Sequence, residues 1–408
     1  MTLDTIILLV GLVAAVYMAW NIGANDVANA MATAVGAKAI TLKQAVIIAA
    51  ILDLIGAAFI GSHVAQTIRK GIVHPDVLGD PTVVMIGLLS ALLAASFWVF
   101  FATWSRLPVS TSHAVVGAML GFGLITGGPS VVNWAKTSEI VVCWILSPFF
   151  SGILAYFIYK VIYRNILSKE NMFFHAVRLS PYFVGITFFV MFLSLFLKTP
   201  LGEKVGFGTG ESVAAALIIG FLLGILGRWF IKTFITSSGL KGVEEAFRRI
   251  QILTSCYVSL AHGANDVANA MGPFAGIYFI VTRHTIGPEI PIPFYLLALG
   301  GMMIAFGILT WGYRVIGTVG SRITTLTNTR GFSVDFGTAT SVLLASKMGL
   351  PVSTTHAAVG AVIGVGLARG FEAVDFRVVW KILLYWVITL PAAAICCMII
   401  FKFINLLI

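Results

Sequence analysis

The chain has 408 residues, 59% of them hydrophobic and only 10% charged. A soluble globular domain carries about 45–50% apolar and about 25% charged residues, so this composition excludes one. The net charge of +10 comes without any Lys/Arg run longer than two residues, which excludes a nucleic-acid binder and leaves basic loops between membrane spans.

A spanning helix needs about 20 mainly apolar residues. Twelve segments meet that pattern, near 3–20, 43–62, 82–104, 111–126, 139–163, 180–197, 211–231, 250–280, 293–313, 332–346, 352–368 and 376–401. The expected class is therefore an all-α polytopic membrane protein. Asp4 precedes the first apolar run with no basic region before it, which reads as a first membrane helix and not a cleaved signal. The breaks at Ser105-Arg106-Leu107-Pro108 and Lys347-Met348-Gly349-Leu350-Pro351 leave almost no loop, so the flanking helices read as discontinuous or re-entrant. Between spans, 236–250 places Val243, Phe247 and Ile250 on one helical face, as in a short helix lying at a membrane surface. Cys143, Cys256, Cys396 and Cys397 lack C-x-x-C spacing and support neither zinc nor a disulfide framework.

Charge orients the chain. Odd-numbered connections hold fifteen Lys and Arg and even-numbered ones seven, which puts the 232–250 loop in the cytoplasm and both termini outside.

The sequence also repeats itself. GANDVANAM occurs at 23–31 and again, identical, at 263–271; PVSTSHAVVGAMLG at 108–121 returns as PVSTTHAAVGAVIG at 351–364. Pro148 and Pro391 continue the second offset. The expected organisation is a transmembrane repeat over 1–165, two linking helices and a short amphipathic loop over 166–249, and a second repeat over 250–408. Seven crossings separate equivalent positions, an odd number, so the halves are expected to be inverted. That is the architecture of many secondary transporters, with a substrate site near midplane between the halves.

Each motif has its own chemistry. An ionised Asp26 or Asp266 inside an apolar helix costs roughly 2.5–3.5 kcal/mol even on a lenient scale. Gly23 and Gly263 permit a local helix break, after which Asn25, Asp26, Asn29 and their partners Asn265, Asp266, Asn269 offer hard oxygen ligands for a small cation. Asp53 and Asp335 have no counterpart in the other half and read as local packing or cavity residues. Pro108 and Pro351 suit the first position of a helix. The hydroxyls of Ser110, Thr111, Ser112 and of Ser353, Thr354, Thr355 would then crowd a helix N-terminus, which is an anion site. His113 and His356 follow directly and could donate to the anion, relay protons or bond a neighbouring carbonyl. A carboxylate beside an anion is consistent if a cation sits between them, or if the anion brings a proton. Hydrogen phosphate allows both, whereas sulfate at neutral pH offers no proton, so the pairing favours phosphate.

The paired GANDVANA and PVST-x-HA-x-VGA motifs resemble the signatures of the inorganic phosphate transporter (PiT) family, and the resemblance covers essentially the whole chain. It implies twelve membrane segments, external termini and symport of phosphate with Na+ or H+ across the cell membrane, the inner membrane of a bacterium. Phosphate is then expected at Ser110, Thr111, Ser112, Ser353, Thr354, Thr355, Asn29 and Asn269, and Na+ at Asn25, Asp26, Asn265 and Asp266. Na+ is a co-transported ion and no cofactor is expected; the partners are phosphate, the cation and the bilayer, with a homodimer left open. The rivals are an anion channel and an intramembrane aspartyl protease. Coupling through paired aspartates disfavours the first, and the absence of Gly-x-Gly-Asp around either aspartate disfavours the second.

Overall fold

The computed structural model describes residues 2–61, 72–73, 79–198, 202, 205–283, 292–321, 323–347 and 352–407. Among them are thirteen α-helices: α1 (Leu3–Gly36), α2 (Leu42–Ile60), α3 (Pro81–Trp104), α4 (Thr111–Gly127), α5 (Trp134–Ile162), α6 (Met172–Lys198), α7 (Thr209–Phe234), α8 (Gly239–Arg283), α9 (Phe294–Trp311), α10 (Tyr313–Ser321), α11 (Asn328–Lys347), α12 (Thr354–Arg369) and α13 (Phe376–Leu407). Nine of the described helices are long and apolar enough to cross a membrane. Of the others, α10 has nine residues and α12 sixteen, whereas α8 and α11 carry polar residues that lower their mean hydropathy, Asp266 and Asp335 among them. The outward faces are apolar as lipid requires: Phe221 on α7, Phe149 on α5 and Val387 on α13 are each about two-thirds exposed or more, at 68%, 66% and 73%. Of the residues in the charge count and the second break, Arg69, Lys70, Lys204, Arg322, Met348, Gly349, Leu350 and Pro351 lie outside the described residues.

Twelve of the helices sit where the hydropathy pattern puts them; α10 is additional. Three local expectations are corrected. First, α1 and α8 run unbroken through Gly23 and Gly263. Those glycines serve close packing instead: a Cβ on Gly23 would lie 2.0 Å from the Ile304 carbonyl oxygen, and one on Gly263 2.1 Å from that of Asp53. With no break, no backbone carbonyls are freed there. Second, 236–250 is not a separate surface helix. It leads into the first third of α8, where Val243, Phe247 and Ile250 are buried in a cluster with Ile162, Ile166 and Phe332, so the division expected at 249/250 falls inside one helix. Third, Pro108 stands two residues before the N-cap Ser110 and not in the first turn of α4.

The short link between α3 and α4 is made by a tight C-cap. Arg106 takes a left-handed φ of 60°, its N–H bonds to Thr103 O at 3.0 Å and that of Leu107 to Ala102 O at 2.9 Å. That is a Schellman turn with arginine where glycine is usual. Lys38 does the same after α1, with φ also 60°.

Elements related by the repeat exchange partners. Helix α1 packs on α9 while α8 packs on α2; α4 packs on α13 while α12 packs on α5. Helices α6 and α7 pack mainly on one another, outside the repeated elements. The exchange brings the unbroken motif helices α1 and α8 against each other at the centre, with the starts of α4 and α12 beside them.

Candidate functional site

Both Asp26 and Asp266 are buried, 1% exposed each. Asp26 accepts from Thr111 Oγ1 at 2.7 Å through Oδ2, and its Oδ1 has no partner among the described residues. Asp266 accepts from Asn265 Nδ2 at 2.8 Å and more weakly from Thr354 Oγ1 at 3.5 Å. The two carboxylates and His262 bring ligand atoms within 4.8 Å of one another. His262 Nε2 lies 2.9 Å from Asp266 Oδ2 and 4.0 Å from Asp26 Oδ2, while its Nδ1 meets Asp53 Oδ2 at 2.6 Å. Ser259 donates a short hydrogen bond to the other oxygen of Asp53. Three carboxylates therefore converge on one imidazole. Even doubly protonated, that ring balances one negative charge of three, and buried charges left unpaired are costly.

The two motif asparagines of each half play different parts. Asn25 is used up in building the α3–α4 link: its Nδ2 donates to Thr103 Oγ1 at 2.9 Å and Leu107 O at 3.1 Å, and its Oδ1 accepts from Val109 N–H at 3.2 Å. Those contacts clamp the backbone on both sides of Pro108, which has no N–H of its own to satisfy. Asn29 and Asn269 instead reach across to the opposite half. Asn29 donates to Thr354 and Thr355 at 3.3 and 2.9 Å, and Asn269 to Thr111 and Ser112 at 3.4 and 3.2 Å. The Oδ1 of each is buried without a partner among the described residues. Together with Asp26 Oδ1, this makes three unpartnered acceptor oxygens in the two GANDVANAM copies; among the described residues nearby, the ring Nε2 atoms of His113, His262 and His356 are also without a hydrogen bond. A hard cation is what those oxygens attract.

The helix starts are alike in the two halves. Ser110 and Ser353 are N-caps, accepting from the N–H groups of His113 and His356 at 3.2 Å each. A hydroxyl that accepts still has its own hydrogen to donate. The first turns of α4 and α12 thus present amide donors, the N-terminal dipole and serine hydroxyls beside the carboxylate cluster. Thr111 has spent its donor on Asp26, and Thr355 bonds Val109 O at 3.3 Å.

His113 and His356 form a separate buried stack: His113 on Trp144 with centroids 3.5 Å apart, His356 on Trp386 at 3.6 Å, and the two imidazoles at 4.3 Å. His356 Nδ1 lies 3.0 Å from Trp144 O, the carbonyl partner that is the blandest of the expected roles. Neither ring bonds Asp26 or Asp266. Asp335 behaves as a packing residue, taking Thr33 Oγ1 and Ser255 Oγ at 2.6 Å each and so tying α1, α8 and α11 together.

The phosphate transporter family matches residues 22–397. The chain belongs to that family. Its relatives include a Thermococcus kodakarensis protein whose name proposes it as a phosphate permease, 47% identical over 97% of both chains. Another is the chloroplastic inorganic phosphate transporter 2-1 of Arabidopsis thaliana, 40% identical over 93% of this chain and 69% of that protein. Among solved structures, one described as the sodium-dependent phosphate transporter superposes with a TM-score of 0.91 at 42% identity, covering 98% of this chain and all of the other. The family is one of transporters and not of enzymes, which disposes of the protease alternative, and it makes the chain a multi-pass membrane transporter.

Two site residues escape the repeat search. His262 stands one position before its motif, where the first half has Ile22, and Asp53 stands against Gly263 where the first half puts Ile304 against Gly23. The available signal is their lack of counterparts: an unmatched acid in one half and an unmatched histidine in the other can complement each other.

Proposed function

We propose that the chain carries inorganic phosphate into the cell by symport with Na+, by alternating access around a site between two inverted repeats. Phosphate binds at the starts of α4 and α12 through the first-turn amides and the hydroxyls of Ser110, Ser112 and Ser353, with Thr111 and Thr354 linking this cradle to Asp26 and Asp266, where the cation binds. The observation that carries this reading is the convergence of three buried carboxylates on the one imidazole of His262, beside two hydroxyl-rich helix N-termini. Such a cluster needs positive charge from outside, and an anion needs that same charge in order to approach buried carboxylates. Cation and phosphate each supply what the other lacks, which is coupling in its simplest form. Asn29 and Asn269 relay it, since each spans from a motif helix of one half to the hydroxyls of the other.

The chain is placed in the cell membrane with both termini outside and the 232–250 loop in the cytoplasm, supported by the distribution of Lys and Arg. Phosphate uptake into proteoliposomes under separately imposed sodium and proton gradients tests the mechanism. Accumulation driven by sodium alone is expected. Accumulation driven by the proton gradient alone would move the cation's role to a proton, and downhill flux that ignores both gradients would make the protein a channel.

A further inference from the structure

A cavity of about 230 Å³ opens beside the hydroxyls of α12, between α6, α8 and α11. Its walls are mostly apolar, with Met191 and Phe192 from α6, Val258 from α8 and Leu343 from α11, interrupted by Ser194, Tyr257 and Thr338. One end is different: there the lining is Asn29, His262, Asn265 and Thr354, the last bonded to Asn29 and Asp266. The space exceeds the ~150 Å³ apolar cavity that takes up benzene. Inorganic phosphate, with four oxygens and no apolar surface, uses none of these walls. A phosphate analogue in which one oxygen is replaced by an apolar group would use them: three oxygens face the first-turn amides of α12, while the substituent leaves toward Phe192 and Leu343. Helix α6 lies outside the repeats, so the second copy of the hydroxyl motif has this apolar annex and the repeat gives no reason for the first to share it.

We propose that the site takes organophosphonates with a single aryl or short alkyl substituent, head in the phosphate cradle and apolar body in this cavity, in competition with phosphate. The inference rests on the phosphate reading of the α4 and α12 starts. Burial of a phenyl ring's area is sufficient for a tenfold gain over methyl.

The test is displacement of radiolabelled phosphate from the purified full chain in nanodiscs with sodium present. Phenylphosphonate is expected to displace it at a concentration at least tenfold lower than methylphosphonate. Ala339→Phe, which fills the cavity from α11, should bring the two within about twofold while phosphate affinity holds. Should that variant not fold, Met191→Ala widens the space from the other side and is expected to shift the preference toward naphthylphosphonate. Equal potency of phenyl- and methylphosphonate on the wild-type chain would overturn the proposal while leaving the phosphate site standing. So would an undiminished phenyl preference in folded Ala339→Phe. Failure of phosphate itself to bind would remove both readings.

Discussion

The same nine residues occupy 23–31 and 263–271, yet the two copies live in different surroundings. In the first, Asp26 has a threonine hydroxyl and no cation closer than 4.0 Å. In the second, Asp266 sits 2.9 Å from His262, whose other nitrogen holds Asp53. Ile22 and Ile304 replace that pair in the first half. Identity of motif therefore does not make the halves equivalent. The second copy holds the shared imidazole at 2.9 Å and the first only at 4.0 Å, so Asp26 is the less well compensated of the two.

Substitution of the acid beside each motif copy, Asp53 against the second and Asp26 within the first, gives the largest expected separation. Asp53→Asn breaks a buried pair and leaves the Asp26, Asp266 and His262 charges rearranged around it, so thermal unfolding in detergent should show a loss of about 3–5 kcal/mol. Asp26→Asn removes the carboxylate farthest from His262, 4.0 Å away, and relieves its desolvation, so the ligand-free protein should hold its stability or gain. Loss of stability in both variants alike would erase the asymmetry. The cap serines should behave as equals. Ser110→Ala and Ser353→Ala each lose a hydrogen bond to a charged ligand, about 1.5–3 kcal/mol or roughly ten- to hundredfold in phosphate affinity by equilibrium binding.

A smaller effect distinguishes the threonines. Thr111 is 2.7 Å from Asp26 and Thr354 is 3.5 Å from Asp266, so Thr111→Val should cost about 1 kcal/mol more in stability than Thr354→Val. Equal costs would mean that the two hydroxyls bond their aspartates alike. The smallest effect is a gain: Arg106→Gly removes a Cβ from a left-handed position and should raise the unfolding free energy by up to about 1 kcal/mol.

Helix positions were legible because apolar runs of membrane length leave little ambiguity, and the site was legible because it occurs twice. What stayed hidden has physical reasons. Gly23 and Gly263 have one sequence signature for two uses, a helix break and a close approach; only the carbonyls of Ile304 and Asp53 packed on them decide for the second. Asn25 looks like a ligand by type, but a backbone segment some eighty residues away at 107–109 uses its whole amide. Short α10 has no span-length pattern to reveal it. His262 is one polar residue among several between Thr254 and Asp266, and its meaning arises only when α2 brings Asp53 to it.

The central claim is that the buried carboxylates exist to bind a cation on which phosphate depends. Phosphate affinity measured calorimetrically with and without sodium, for the wild-type chain and for the Asp26→Asn, Asp266→Asn double variant, addresses it most directly. Sodium should raise wild-type affinity at least tenfold and leave the folded double variant's weak affinity unchanged; an equal sodium-dependent gain in the double variant would contradict the account.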